Sequence, residues 1–68
     1  MVIEIDPQEL NNLSEKLADI SYEAEANLEL VQTCIKYPEI MDEERLRKTL
    51  KEHLTNIINN AKSIIDSL

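Results

Sequence analysis

Glycine is absent from all 68 residues, and the only two prolines, Pro7 and Pro38, split the chain into two long, unbroken stretches. Without glycine there is no phosphate-cradling loop of the P-loop or dinucleotide type. Glycine is also the residue that most weakens a helix interior after proline, so both stretches are free to be helical along their whole length. The apolar set is aliphatic, with nine Leu and nine Ile, and Tyr22 and Tyr37 are the only aromatic residues. Side chains of that kind suit helix-on-helix packing. The expected fold class is all-α: a single domain over residues 1–68, an antiparallel two-helix hairpin that completes a four-helix bundle with itself or a partner.

The helix ends are marked locally. Asp6-Pro7-Gln8-Glu9 reads as a helix start. The Asp6 carboxylate accepts orphan N–H groups, Pro7 at the first helical position has no N–H to leave unpaired, and Glu9 sits at the capping-box position. Ile5 and Leu10 are placed for a hydrophobic staple. Residues 1–6 form a short apolar arm and residues 7–36 the first helix, because Pro38 disfavours helical geometry for Tyr37 before it. Residues 37–41 make a turn short enough to require an antiparallel return. The second helix covers residues 42–67, with Asp42 as its cap candidate, Glu43 and Glu44 favourable to the dipole, and Met41 and Leu46 as a second staple.

Aliphatic residues recur at helical spacing in both segments. In the first they are Leu10, Leu13, Leu17, Ile20, Ala24, Leu28, Val31 and Ile35; in the second they are Leu46, Leu50, Leu54, Ile57, Ala61, Ile64 and Leu68. Ile58 and Ile65 flank the second row and make the stripe wider than one facing helix covers. The expected interface is therefore Leu10, Leu13, Leu17, Ile20, Leu28, Val31, Ile35, Leu50, Leu54, Ile57, Ile58, Ile64 and Ile65. An acidic substitution at Leu54 or Ile57 is expected to dissociate any assembly. A chain this small buries only about 60% of the surface exposed when unfolded. Ordering it costs on the order of 100 kcal/mol, at about 1.5 per residue, so a second copy or a protein partner is expected to supply the missing contacts.

The formal charge is −7, and all of it lies in residues 1–41, with nine acids against two bases; residues 42–68 carry five of each. Glu15, Asp19 and Glu23 lie four apart and form an acidic face, with Glu25 and Glu29 as a second row. Such a face either keeps the chain solvated or docks on a basic partner, including by mimicking nucleic-acid charge. Arg45, Arg47, Lys48 and Lys51 cluster at the start of the second helix. Ion pairing is the plain reading of that cluster, and a small RNA patch is the alternative, with no aromatic side chain nearby to stack on bases.

Catalytic chemistry finds no residues. The single histidine, His53, reads as a surface or boundary residue. Cys34, the single cysteine, reads as a small buried hydrophobe, with an intermolecular bridge left open. One His and one Cys cannot close a zinc site, and no Glu-x-x-His pair occurs for a di-iron bundle. No metal or other cofactor and no enzymatic activity are expected. Asn56 and Asn60, four apart, are either exposed or bonded to a neighbouring helix. No apolar run approaches the ~20 residues of a membrane span, and no signal peptide is recognisable. A cytoplasmic chain with a protein partner is expected, with export by a non-Sec route left open, no membrane contact and nucleic acid disfavoured.

The opening Ile3-Glu4-Ile5-Asp6-Pro7-Gln8-Glu9-Leu10, followed by a long amphipathic helix, resembles the N-terminus of the small WXG-motif helical hairpins. Those proteins pass through or assist type VII secretion and pair as four-helix bundles. The resemblance covers about half the chain. At the turn Tyr37-Pro38-Glu39 stands where that family has Trp-x-Gly, and no Tyr-x-x-x-Asp/Glu export signal follows. It implies a targeting-partner type, an adaptor or chaperone-like companion of a larger helical protein. The hairpin is also similar in architecture to the plasmid repressor-of-primer class, acidic hairpin dimers that bind paired RNA loops; fold alone does not transfer that function. A phage-type or antitoxin-like acidic inhibitor and a homodimeric RNA-binding helical hairpin remain the other readings.

Overall fold

The computed structural model describes residues 2–68. Met1, the first residue of the expected arm, lies outside them. Two helices pack against each other, α1 over Pro7–Lys36 and α2 over Glu43–Ser67, with no strand among the described residues. At α1, Asp6 Oδ1 accepts from the Gln8 N–H at 2.9 Å, and the Asp6 carbonyl accepts from Leu10 N at 3.0 Å. At its other end Tyr37, held extended by Pro38 (φ −130°, ψ 77°), still donates its N–H to the Thr33 carbonyl at 2.8 Å. The Asp42 carboxylate then starts α2 by accepting from Arg45 N at 2.7 Å. This cap satisfies an orphan donor where the chain has just reversed. Asp42→Ala is expected to cost about 1 kcal/mol, read as a lowered midpoint in urea unfolding.

The helices meet along a strict alternation of three- and four-residue steps. On α1 the half-buried positions include Leu13, Lys16, Ile20, Glu23, Asn27, Leu30 and Cys34; on α2 they include Leu46, Leu50, His53, Ile57, Asn60 and Ile64. That is antiparallel heptad packing. Cross-helix contacts fix its register: Lys16 lies opposite Ser63, Glu23 opposite Asn56, and Asn27 opposite His53. Each step forward on α1 is matched by one backward on α2, which puts Leu17 level with residues 62–63, one to two positions past Ala61.

Among the described residues none is fully buried. The hairpin is a rod of 52 × 19 × 16 Å with a radius of gyration of 16.1 Å, where a compact chain of this length would have about 11 Å. Cys34, read from sequence as buried, is only half-buried, because a single two-helix seam covers each side chain from one side.

Candidate functional site

The seam that closes the hairpin takes up only part of the expected interface. Leu13, Ile20, Leu50, Ile57 and Ile64 face the other helix and are half-buried. Leu10, Leu17, Leu28, Val31, Ile35, Leu54, Ile58 and Ile65 remain exposed, with Leu17 at 55%, Ile58 at 53% and Ile35 at 75%. The exposed set is not scattered. On α1, Leu10, Leu17, Ala24 and Val31 recur every seven residues, each following a seam residue by one position. On α2, exposed Leu54 and half-buried Ala61 do the same, and exposed Leu68 holds the next heptad position. In antiparallel heptad packing, equivalent flanking positions of the two helices lie on the same side of the pair. Leu28 and Ile35 extend this face on α1, and Ile58 and Ile65 extend it on α2. One side of the hairpin is therefore predominantly apolar, broken by Ser14 and Ser21 on α1 and by Arg47 and Lys51 at the start of α2.

The opposite side is polar. It carries the cross-helix bonds from Lys16 Nζ to Ser63 Oγ at 2.8 Å and from Asn56 Nδ2 to Glu23 Oε1 at 3.4 Å. Exposed Glu15, Asp19, Glu29, Glu52 and Asp66 fall on this side by the same register. The expected acidic face is thus divided. Glu15 and Asp19 are exposed, while Glu23 is half-buried in the seam, 3.7 Å from His53 Nε2.

His53 is the centre of a polar layer within the seam. Its Nδ1 lies 2.6 Å from Asn27 Oδ1, and Asn27 Nδ2 donates to the Leu50 carbonyl at 3.5 Å. Both ring nitrogens face oxygen acceptors. This is a packed structural cluster, and Asn27 is the member that sequence reading missed. Its in-phase spacing with Leu13 and Ile20 was the available signal. Asn56 bonds across to α1, the alternative to simple exposure, and Asn60 is half-buried.

The basic cluster holds one ion pair, Arg47 to Glu43 at 2.7 Å along the same helix, both side chains largely exposed. Such pairs are worth about 0–1 kcal/mol. A shallow concavity of about 770 Å³ runs beside it, lined in part by Arg47, Lys48, Lys51 and Thr55. Among the described residues no three His, Cys, Asp or Glu side chains come together to hold a metal ion, and no helix is long and apolar enough to cross a membrane.

Compared with protein-family models, with curated proteins and with solved structures, the chain matches none.

Proposed function

We propose that this protein is a non-enzymatic protein–protein interaction module whose apolar face docks on a helical partner. The segregation of exposed aliphatic residues to one side of the hairpin carries the reading. Monomers rarely leave large contiguous apolar patches in water, and such patches mark interaction surfaces. Burying side chains of this type stabilises an assembly by about 1.5–3 kcal/mol each, well above any exposed ion pair here. The apolar face therefore determines whether the protein assembles, and the charged face selects among partners. The resemblance to secretion-associated hairpins supports an adaptor or chaperone-like role for such a module.

The test compares the wild-type chain with Ile58→Asp carrying Ile65→Asp, two changes confined to the exposed face. Wild type is expected either to associate or, as a monomer, to bind a hydrophobic dye; the variant should do neither. A wild-type monomer that binds no dye would end this reading. The exposed acids of the opposite side, Glu15, Asp19, Glu29, Glu52 and Asp66, favour one second reading, an inhibitor that occupies a basic groove. For that function Glu15→Lys with Asp19→Lys should abolish binding while leaving helix content unchanged.

A further inference from the structure

The face proposed above as a docking surface has a shape that one occupant fits best, a second copy of the same chain. The area agrees first. The chain exposes 5817 Å², whereas a globular protein of this mass would expose about 4400 Å². The excess, roughly 1400 Å² per chain, falls within the about 1000–2500 Å² that each subunit of an obligate dimer buries.

The pattern of side chains agrees independently. A two-fold interface must be complementary to itself. On α2 the exposed stripe is nearly palindromic about Ala61, with Leu54 and Ile58 on one side and Ile65 and Leu68 on the other. Antiparallel pairing of α2 with its copy sets Leu54 against Leu68 and Ile58 against Ile65. The small Ala61 at the centre permits close approach. Leu17, within one to two residues of the Ala61 level on α1, packs beside its own copy close to the same axis.

The ends of the rod agree as well. One end carries the arm, with Val2 84% and Ile3 69% exposed and the acids Glu4 and Asp6 among them. About 40 Å away, at 1.5 Å per helical residue, the other end carries exposed Leu28, Val31 and Ile35 beside Arg47, Lys48 and Lys51. Within one chain these two surfaces cannot meet. They match in apolar character, and Lys48 and Lys51, unlike Arg47, which pairs with Glu43, are bases left to face the acids of the arm. Turning a second copy about the Leu17 and Ala61 level brings the arm, at about 3.3 Å per extended residue, to the other copy's Val31–Ile35 stretch. A parallel arrangement would instead set Lys51 and Arg47 against Leu28 and Val31. We infer that two copies pack antiparallel through their apolar faces, with the two-fold axis at Leu17 and Ala61 and each arm lying on the far end of the other copy.

This inference rests on the interaction-module reading, and the experiment separates the two. Light scattering on wild type should give twice the chain mass of 7.9 kDa. In a Cys34→Ser background, Ala61→Cys should form an intermolecular disulfide under mild oxidation. Its rate should exceed that of Thr55→Cys, on the outer side of α2, by on the order of a hundredfold, because association raises the effective thiol concentration. The pair Ile5→Cys with Val31→Cys, too far apart to join within one chain, should give covalent dimers. A dimer whose Ala61→Cys variant links no faster than the control overturns the antiparallel arrangement. A dimer in which Ile5→Cys and Val31→Cys do not link overturns the placement of the arm. A monomer that binds hydrophobic dye overturns the second copy while leaving the module reading intact, and a monomer that binds none overturns both.

Discussion

Ile57→Asp is expected to unfold the hairpin, seen as loss of most of the helical circular dichroism at 25 °C. Ile57 lies in the seam between Leu50 and Ile64 and is half-buried there. By the cross-helix register it sits level with Glu23, so the substitution removes an apolar contact and adds a carboxylate beside one already present. Truncating a buried isoleucine costs about 2–5 kcal/mol, and a half-covered site falls at the low end. Like-charge repulsion and desolvation of the new group add to that. At about 0.05–0.15 kcal/mol per residue the whole chain is stable by only about 3–10 kcal/mol, so one such change removes a large part of it. Leu54→Asp, three residues earlier, makes the contrast. Leu54 points to the open face and is 49% exposed. Its replacement leaves every seam contact in place and acts on association instead. From sequence alone both substitutions predict dissociation; the structure puts Ile57 in the seam and Leu54 on the exposed face. An Ile57→Asp chain with wild-type helicity and melting temperature would refute this seam.

The contrast shows what could be read from the sequence and what could not. The all-helical hairpin was readable because its determinants are local. A carboxylate before a proline, a proline after a tyrosine and a carboxylate before two glutamates each act within one turn of chain. Which part of the aliphatic stripe faces inward is a tertiary matter. Leu10 and Leu13, or Leu54 and Ile57, are equally apolar and adjacent on the helix surface, so periodicity cannot choose between them. The choice falls to polar residues that find partners across the seam: Lys16 with Ser63, Asn27 with His53, and Glu23 with Asn56. Taken one at a time, each of these side chains resembles a surface residue. Glu23 illustrates the geometry. Residues four apart advance about 400° around the helix axis, so a row spaced by four drifts by about 40° per step. Over two steps, from Glu15 to Glu23, that drift carries the row from the solvent side to the seam. The face left outside is the one with the fewest polar groups, so the exposed apolar face could be located only after the seam was.

The polar layer itself yields the second large effect. Replacing Asn27 and His53 together with leucine is expected to raise stability by about 1–2 kcal/mol. Substituting apolar side chains for a buried polar group with its partners is often neutral or stabilising, and the half-exposure of this layer keeps the gain at the low end. His53→Leu alone should instead cost about 1 kcal/mol, since it leaves Asn27 Oδ1 facing an aliphatic side chain. Urea unfolding of both single variants and the double variant forms a cycle that isolates the coupling. A double variant less stable than wild type would show that the layer is a net source of stability. The gain should come at the expense of register. With Leu13, Ile20, Leu30, Leu46, Leu50, Ile57 and Ile64 already repeating at heptad spacing, the Asn27–His53 contact distinguishes one alignment of the helices from another slipped by seven residues. The double variant is therefore expected to show more than one set of amide resonances, while wild type shows one. The same alignment sets the level of Leu17 against Ala61, so a slipped hairpin would also misplace the open apolar face, and association would weaken although the fold had gained stability.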